Sequence, residues 1–411
     1  MTKIAAFRAL RPVRDKVHLI ATRPYYSYKK NVLKAKLEDN PFTFLRIINP
    51  EFESIVKTKA NSTERFRLVR DKYEEFITEG LLIQEESPRV YVYRQSKGGQ
   101  VYTGFIAGAS VKEYEDDAIK KHEATITSRE EMFTKYLDII GYNAEPVLLS
   151  YPPNKNLADL LESCTLARPE YEFSTTDKIK HELWVLDKQQ TNDVIAGFEP
   201  LNAVYIADGH HRSASSVRLK NNRRANNAPH FFNEDFFLAF FISEEKMTIL
   251  EFNRLVKTMN GHSKEELINL LKKSFEIKAL RERKKPDNEH QFTLFLKDEW
   301  FELNCKKAII DDSHPVKCLD SEILTQFVLN PLLDIKDLKS DERIEFVSGV
   351  ESLENIEEKI RKGKYEMAFI LFPTTIEQVK NVADHQLIMP PKSTWVEPKL
   401  RSGLTIYNIN E

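Results

Sequence analysis

Apolar and polar positions follow two different periods along this chain, which predicts a mixture of helices and strands. Apolar residues at helical spacing, including Phe66 and Val69, predict a helix over 62–79, and Gly80 is placed to end it. Short continuous apolar runs predict buried strands, and the most apolar run, 236–242, is predicted to be a central strand. The pattern as a whole predicts an α+β fold with mixed α/β character.

The remaining predicted elements lie between turn signals such as Asn40-Pro41 and Gly98-Gly99. Further strands are predicted at 42–48, 89–94, 102–107, 146–151, 181–186, 203–207, 291–296, 299–304, 341–346 and 367–372. Further helices are predicted at 128–140, 157–166, 191–198, 263–275, 320–328 and 352–362. Ser128 and Glu131 have the spacing of a capping box and predict the start of the helix at 128–140.

The most distinctive stretch is a turn that follows a predicted buried strand. Asp208 and Gly209 signal the turn, and His210, His211 and Arg212 place three polar donors at the start of a predicted helix. A helix start favours negative charge, and Gly209 lets a ligand approach the backbone closely. Arg212 can hold two oxygens of a phosphate or carboxylate. The pattern predicts an anion site, and a plain helix start with solvated histidines is the structural alternative.

Three further groups of residues are candidates for the same site. Asp208 has a functional interpretation, as a base or a metal ligand, and a structural one, as a helix cap, and both stay open. His122 and Glu123 could supply a general base or a Mg²⁺ ligand, and the alternative is a surface pair on a lysine-rich loop. Lys392 and Ser393 could reach a phosphate from the tail, and the alternative is a polar turn beside prolines.

Composition narrows the classes of function. The net charge of -2 leaves no basic field of the kind that nucleic-acid binding needs. Three cysteines without a CxxC pair predict reduced thiols and no zinc site, and no residue is assigned to a resident metal. No apolar stretch resembles a signal-peptide core or a membrane span. We expect a cytoplasmic protein with a small-molecule substrate and no nucleic-acid or membrane partner, and the oligomeric state stays open.

Familiar phosphate and nucleophile motifs do not occur in the sequence. Gly98-Gly99 lacks the Lys-Ser/Thr pair that completes a P-loop, and there is no dinucleotide fingerprint or Gly-x-Ser-x-Gly elbow. The sequence therefore offers no support for a serine hydrolase or a NAD-dependent enzyme.

Two stretches of the chain resemble the hallmarks of the family called "domain of unknown function 1015". They are Ala207-Asp-Gly-His-His-Arg212 and Met389-Pro-Pro-Lys-Ser-Thr-Trp395. Further landmarks follow in the same order, at 40–45, 91–94, 114–115 and 122–123. The family's usual Pro-Pro-Tyr-Asp segment is replaced by Arg23-Pro24-Tyr25-Tyr26, so any role of that aspartate does not transfer. The aromatic residues of this segment belong either to a loop packed on the core or to a pocket wall.

The Gly-His-His-Arg turn also resembles the nucleotide-binding turn of the ParB and sulfiredoxin superfamily, which includes kinases of free serine. This second resemblance implies a ParB/sulfiredoxin-like nucleotide-binding core. It also implies ATP or ADP with Mg²⁺ as cofactors, and serine or a similar hydroxy amino acid as substrate.

The length of 411 residues exceeds that of a usual single core, so more than one domain is expected. We predict an N-terminal α/β domain over 1–245 that carries the Asp208–Arg212 turn, and a second α+β domain over 246–385. The segment 386–411 carries Trp395 and Leu400 beside prolines, which predicts an ordered C-terminal segment that packs back on the site.

The leading hypothesis is a kinase-like phosphoryl transferase. In it the groups that hold phosphate are Gly209, His210, His211, Arg212, Lys392 and Ser393. The candidate catalytic groups are Glu123, Asp208 and His122. The alternatives are a phosphatase of a metabolite such as phosphoserine, a non-catalytic nucleotide or metabolite sensor of ParB-like type, and a structural partner of metabolic enzymes.

Overall fold

The computed structural model describes residues 2–411, which divide into two compact units. The first unit comprises the chain up to Lys121 with 125–247 and 398–411, and the second comprises 122–124 and 248–397. The chain contains both helices and mixed sheets, so the predicted α+β fold is confirmed. Among residues 2–411, no helix has both the length and the apolar composition that crossing a bilayer requires.

The strands of the first unit form one large sheet and two small pairs, and those of the second form one large sheet and one pair. In chain order they are β1 (Ile4–Ala5), β2 (Leu10–Pro12), β3 (Leu82–Gln84), β4 (Tyr91–Lys97), β5 (Gln100–Ser110), β6 (Ile119–Lys120), β7 (Tyr142–Asn143), β8 (Val147–Tyr151), β9 (Tyr171–Ser174), β10 (Lys180–Val185), β11 (Val204–Asp208), β12 (Phe236–Ser243), β13 (Thr248–Leu250), β14 (Phe252–Val256), β15 (Phe275–Leu280), β16 (Gln291–Leu296), β17 (Glu299–Cys305), β18 (Ile344–Ser348), β19 (Met367–Leu371), β20 (Trp395–Glu397) and β21 (Tyr407–Asn408).

The α-helices are distributed over both units. In chain order they are α1 (Val17–Ile20), α2 (Lys30–Asp39), α3 (Phe44–Ile48), α4 (Thr63–Thr78), α5 (Val111–Glu115), α6 (Thr127–Ile140), α7 (Lys155–Cys164), α8 (Lys188–Phe198), α9 (His210–Ala225), α10 (Lys264–Leu271), α11 (Asp320–Leu324), α12 (Leu353–Arg361) and α13 (Ile376–Asp384).

The main sheet of the first unit runs in the order β6-β11-β8-β12-β5-β4-β10-β9, and β1 pairs with β5. Strand β12 lies parallel to β8 and antiparallel to β5, which confirms that the most apolar run is a central strand. Its residues from Phe236 to Ile242 are all buried, because both faces of a central strand in a layered fold are covered. Strand β11 pairs with β6 and β8 and leads directly into α9.

A second apolar layer of the first unit is built from helices α3, α4 and α6. Phe44 and Ile47 of α3, Val69 and Tyr73 of α4, and Ile140 of α6 share one buried cluster. Helix α6 also packs along α9. The start of α9 therefore lies between the sheet and this helical layer.

The second unit is organised around a sheet in which neighbouring strands pair antiparallel, in the order β15-β17-β16-β19-β14-β18. The strands predicted at 291–296 and 299–304 are confirmed as β16 and β17, which pair antiparallel as a hairpin. Apolar side chains on the two faces of this sheet form two separate buried clusters, one of which includes Val256 and the other Leu255.

Several predicted elements are wrong or displaced. The predicted strand at 42–48 is helix α3, because the Thr43 side chain accepts a hydrogen bond from the Leu45 amide and caps a helix there. The helix predicted at 263–275 ends at Leu271, and Phe275, the last residue of the predicted range, begins strand β15. The strand predicted at 341–346 begins only at Ile344.

The capping box predicted at Ser128 is also wrong. Helix α6 begins one residue earlier, and Ile126 at the N-cap makes no side-chain cap. By contrast, the predicted end of α4 is confirmed, because Gly80 follows the helix in the left-handed conformation. The Ser62 side chain caps the start of α4 by accepting from the Arg65 amide.

Residues 398–411 are ordered against the first unit. Strand β21 pairs with β7, and Ser402 forms an isolated bridge with Thr22. The buried Arg401 guanidinium donates to both carboxylate oxygens of Asp177 at 3.0 Å. It also donates to the buried ring of His181 at 3.2 Å. This end of the chain is held by a charge-assisted contact as well as by apolar burial.

We expect Arg401→Ala to lower the free energy of unfolding by about 3 kcal/mol, because it leaves a partly buried carboxylate without its partner. Chemical denaturation monitored by circular dichroism measures this change. Arg361→Ala is the matched control, since Arg361 forms an exposed ion pair with Asp298 and its loss should cost about 1 kcal/mol or less. Equal effects of the two substitutions would contradict the anchoring role of Arg401.

Candidate functional site

The turn between β11 and α9 depends on Gly209. This residue is the N-cap of α9 and has φ 106° and ψ 28°, in the left-handed region that L side chains rarely adopt. A Cβ atom at this position would lie 3.0 Å from the Nε and Nη2 atoms of Arg212. Gly209 is therefore required both by the backbone conformation and by the guanidinium that lies against it.

Asp208 binds two cations. Its Oδ2 accepts from Arg212 Nη2 at 2.5 Å, and its Oδ1 accepts from Lys399 Nζ at 3.1 Å. Burial alone would raise the pKa of Asp208, but Lys399 and Arg212 outweigh burial and lower the pKa to about 2. Asp208 is therefore ionised under all physiological conditions and holds the Arg212 side chain in place.

Arg212 is fixed at several atoms. Its Nη1 donates to the Pro146 carbonyl at 2.6 Å, in addition to the bond from Nη2 to Asp208. Burial opposes the charge, but Asp208 and Glu145 outweigh it and the pKa of Arg212 is raised. The side chain is thus a permanently charged and oriented donor, and these two bonds use only part of its five N–H groups.

His210 is not a cation in this site. Its side chain is buried, and this burial, with help from His211 and Arg212, lowers its pKa to about 3. At neutral pH the ring can offer one N–H and one acceptor nitrogen. At neutral pH, Arg212 is therefore positively charged, whereas His210 is neutral.

The serine hydroxyls that follow on α9 bond back to the helix itself. Ser213 donates to the His210 carbonyl at 3.0 Å, Ser215 to the His211 carbonyl at 2.6 Å, and Ser216 to the Arg212 carbonyl at 3.0 Å. Hydroxyls engaged in this way contribute to the helix start rather than presenting a donor to a ligand.

Arg212 lies between two spaces of very different size, both lined by the first unit. The smaller is a cleft of about 10 Å³ whose walls include Asp208, Tyr26 and Lys399, which leaves room for about one water molecule. The larger is a cavity of about 430 Å³ that includes Arg212, Glu145 and Ser215 in its walls. Only the larger space has the size of a small-molecule site.

The walls of the larger cavity are mainly aromatic and apolar. Its aromatic residues are Tyr25, Phe44, Phe66, Tyr73, Phe133, Tyr136 and Tyr142. Helices α4 and α6 present residues one turn apart toward the cavity, including Phe66 and Val69 on α4 and Met132 and Tyr136 on α6. Polar groups lie at Arg212, Arg65, Glu145 and a few asparagines, so the cavity has an apolar body and a charged part.

The other predicted site residues belong to the second unit. His122 is buried and Glu123 is exposed, and Lys392 is exposed beside the buried Ser393. The backbone of His122 contacts the segment that precedes Lys392, because the Met389 amide donates to the His122 carbonyl at 2.9 Å. Their roles toward the Asp208–Arg212 turn stay predictions.

Several residues of the cavity were not predicted from the sequence as site residues. Glu145 lines both spaces beside Arg212, and Arg65 lies in the first turn of α4. A carboxylate directly before the buried strand β8 was the only local signal for Glu145. Tyr25 and Tyr26 line the cavity and the cleft respectively, which supports the pocket-wall interpretation of the Pro24 segment.

The sequence matches the model of a family described as "Protein of unknown function (DUF1015)" over residues 4–322. This match covers well over half of the 411 residues. The chain belongs to this family. The match confirms the predicted family and includes the Asp208–Arg212 turn, whereas the 389–395 stretch lies outside the matched residues. No curated protein matches its sequence.

Solved structures show a distant likeness to the DUF1015 protein. One is a free serine kinase mutant in complex with AMP, with 16% identity and a TM-score of 0.39. The alignment covers 73% of this chain and 91% of the kinase chain. A conserved hypothetical protein from Pyrococcus furiosus has 16% identity, a TM-score of 0.36 and coverages of 74% and 95%. SbnI from Staphylococcus aureus, truncated at its C-terminus, has 10% identity, a TM-score of 0.38 and coverages of 74% and 87%. We draw no functional argument from likenesses of this size.

We expect Gly209→Ala to destabilise the protein by about 1–3 kcal/mol, because alanine is strained at this φ and its Cβ displaces the Arg212 guanidinium. Thermal and chemical unfolding measure the change. Gly80→Ala is the matched control, since Gly80 has φ +70° and nothing lies within 4 Å of its Cβ position. This substitution therefore introduces backbone strain without a steric clash. A Gly209→Ala protein no less stable than Gly80→Ala would contradict the close approach of Arg212.

The buried His210 predicts a pH dependence of stability. Its pKa of about 3 lies below the ordinary value of 6.5, so the unfolded chain binds a proton in this window that the folded chain does not. Stability should therefore fall as the pH drops below about 6.5, by up to about 1.4 kcal/mol per pH unit from this residue. Denaturant unfolding of wild type and His210→Gln between pH 7 and pH 5 should show a smaller loss in the variant. Parallel curves for the two proteins would disprove a buried, neutral His210.

Proposed function

We propose that the first unit binds a small molecule with an aromatic or apolar body and a phosphate group, in the cavity that ends at Arg212. The observation that carries this proposal is the combination of aromatic walls and a fixed guanidinium in one cavity of about 430 Å³. Aromatic walls suit the planar base of a nucleotide, and a guanidinium suits its phosphate oxygens. ATP or ADP is the ligand we propose first.

The charged part of the cavity fits a phosphate together with its cation. Arg212 is held by Asp208, so it is oriented before a ligand arrives. Glu145 accepts from Ser402 through Oε1 at 2.9 Å, and it lines the cavity together with Arg212. Mg²⁺ in nucleotide sites is commonly held by one or two carboxylates and by the phosphates themselves, and Glu145 would serve as that carboxylate.

The reaction that we propose is phosphoryl transfer to serine or a similar hydroxy amino acid. Phosphoryl transfer needs positioning and charge neutralisation more than covalent chemistry from the protein, and an oriented arginine supplies both. The resemblance of the Gly-His-His-Arg turn to the ParB and sulfiredoxin superfamily, with its kinases of free serine, supports the same choice. A ParB/sulfiredoxin-like core is part of this proposal.

Asp208 is better suited to holding Arg212 than to acting as the base. A carboxylate with a pKa of about 2 and two cationic partners accepts a proton poorly near neutral pH. We therefore assign Asp208 a positioning role. Glu123 and His122 as catalytic groups, and Lys392 and Ser393 as phosphate ligands, remain predictions from the sequence.

Two other functions use the same cavity. With water as the acceptor, the arrangement of charges would serve a phosphatase of a metabolite such as phosphoserine. Without any base in reach of the ligand, the cavity would serve a nucleotide or metabolite sensor. Phosphorus NMR of mixtures of serine with ATP or ADP, and of phosphoserine alone, distinguishes the three by which phosphate species is formed.

The binding proposal is tested by a thermal-shift series on the full chain. The ligands are adenosine, AMP, ADP, ATP, CTP, serine and phosphoserine, each with and without Mg²⁺. A ligand that binds the folded state at 100 times its Kd stabilises the protein by about 2.7 kcal/mol. We expect the adenine nucleotides to raise the melting temperature. The absence of any nucleotide response would reject the proposal.

Two substitutions localise the response to the cavity. Arg212→Ala should weaken nucleotide affinity by about tenfold or more, because a charge-assisted pair with phosphate is lost. Tyr25→Ala should also weaken affinity, and since this side chain is 45% exposed the variant should fold normally. Isothermal titration calorimetry measures both affinities.

The matched controls are Arg218→Ala and Tyr102→Ala. Arg218 lies on the same helix and pairs with Glu131 on the surface at 2.6 Å. Tyr102 lies in the β4–β5 hairpin, away from the cavity walls. If the controls weaken nucleotide binding as much as Arg212→Ala and Tyr25→Ala do, the nucleotide does not bind in this cavity.

A further inference from the structure

Another cavity of the first unit lies at one end of its main sheet. It has a volume of about 600 Å³ and shares no wall residue with the cavity at Arg212. Its walls come from β4, β5, β8, α7 and the end of β12 with the residues after it. Strands β8 and β12 run parallel and both end here, where Tyr151 is paired with Ser243. Carboxyl ends of parallel strands are a frequent location of ligand sites, and the volume is that of a small-molecule site.

Polar side chains cross one face of the sheet at this cavity. Arg94 and Thr103 are cross-strand partners on β4 and β5, and Ser243 and Tyr151 are partners on β12 and β8. All four residues line the cavity. Two residues before Tyr151, on the same face of β8, Leu149 belongs to the apolar core. The face that α7 and α8 cover therefore changes from apolar to polar where the cavity begins.

The Tyr151 hydroxyl is a buried polar group that lacks a partner. The side chain is 2% exposed, and its ring packs against that of Phe198 with 5.3 Å between the ring centres. Within residues 2–411 its hydroxyl makes no hydrogen bond, and the buried hydroxyl of Ser243 makes none either. Burial raises the pKa of Tyr151, and the Glu245 carboxylate raises it further. The cavity wall thus carries a neutral hydroxyl, and leaving such a group without a hydrogen bond is costly.

Arg94 presents unused N–H groups at the same wall. Its Nε donates to Thr103 Oγ1 at 3.1 Å, and its guanidinium lies 5.0 Å from the centre of the Trp184 ring. Its Nη1 is 3.8 Å from Glu182 Oε2, which is too far for a hydrogen bond. Neither Nη group has a hydrogen-bond partner in the part of the chain that the structure describes. The side chain is held in place, yet its fork remains able to bind two oxygens of a carboxylate.

Negative charge lies at the rim of this cavity. Glu245 is exposed, and its nearest cation is the Lys246 ammonium at 3.8 Å. Glu162 adds a second exposed carboxylate, and Lys155 is an exposed cation that pairs with Asp159 at 2.6 Å. Among residues 2–411 the Glu245 carboxylate accepts no hydrogen bond. A donor fork and an acceptor carboxylate are therefore both available in one cavity.

These charges fit a ligand that carries both signs. A simple anion would be repelled by the carboxylates at the rim, and a simple cation would be repelled by Arg94. An uncharged ligand would leave both charges without a partner. A zwitterion complements the two signs together, and the smallest common zwitterion has a carboxylate and an ammonium on one carbon atom.

We propose that this cavity binds a free α-amino acid. The carboxylate of the amino acid accepts from the Arg94 fork and the Tyr151 hydroxyl, and its ammonium donates to Glu245. The inference rests on this cavity alone and does not depend on the function proposed for the cavity at Arg212.

The first test is a thermal-shift series on the full chain with the standard L-amino acids, each added singly. We expect at least one of them to raise the melting temperature in a saturable way and more than its D-enantiomer does. The D-enantiomer controls for the general stabilisation that small solutes produce. If no amino acid gives a saturable response that depends on chirality, the proposal is overturned.

The amino acid that responds is then compared with two analogues that each lack one charge. Its N-acetyl derivative has no ammonium, and its methyl ester has no carboxylate. We expect both analogues to lose most of the response. An analogue that stabilises the protein as well as the amino acid itself would overturn the proposed zwitterion site.

Tyr151→Phe removes a hydroxyl that makes no hydrogen bond in the protein, so the variant should be as stable as wild type. We expect its affinity for the amino acid to fall by about threefold to tenfold, as measured by isothermal titration calorimetry. Tyr102→Phe is the matched control, because its neighbours Val101 and Thr103 line the cavity and its own side chain therefore points to the other face of β5. Wild-type affinity in Tyr151→Phe would overturn the proposal.

Glu245→Gln tests the ammonium contact at an exposed position where folding is not at risk. We expect affinity to fall by about tenfold or more, since a charge-assisted contact is lost, whereas Glu265→Gln at an exposed position on α10 should have no effect. Glu245→Gln should keep the nucleotide response, and Arg212→Ala should keep the amino-acid response. An amino-acid response that is lost in Arg212→Ala and kept in Glu245→Gln would place the ligand in the other cavity and overturn the proposal.

Discussion

Asp208 accepts hydrogen bonds from Arg212 on its own turn and from Lys399 near the end of the chain. The two cations keep the carboxylate ionised, and the carboxylate in turn holds the guanidinium against Gly209. A residue with a side chain at position 209 cannot be placed there without moving Arg212. The two ion pairs of Asp208 therefore link the end of β11 to the first turn of α9 and to the segment 398–411.

Two spaces of different size lie beside the ion pair between Asp208 and Arg212. The cleft on the Asp208 side is too small for more than about one water molecule, and the cavity on the other side has the size of a metabolite. Arg212 and Glu145 are the charged residues that line both spaces. His210, although close in sequence, is neutral because it is buried, so it adds no positive charge to the turn at neutral pH.

The two units treat a buried arginine in opposite ways. Arg212 is paired with a carboxylate, which fixes the orientation of its guanidinium. Arg254 has no carboxylate of residues 2–411 within ion-pair distance, and its guanidinium lies 5.3 Å from the centre of the Phe346 ring. A buried arginine that is paired with a carboxylate keeps its charge at less cost than one without such a partner.

Local sequence determined the elements whose signals are short-range. The apolar period of α4, the Ser62 cap, the β4–β5 hairpin and the strand-turn-helix at Asp208 follow from interactions between neighbours in the chain. Local signals failed at 42–48, where a cap on Thr43 outweighed an alternating pattern. Only the tertiary structure decided that Asp208 pairs with Arg212 and Lys399, that Glu145 and Tyr25 line a cavity, and that Arg254 is buried with no carboxylate of the described residues within ion-pair distance. Charge, burial and cavity walls depend on residues far apart in sequence, and no local pattern records which of them meet.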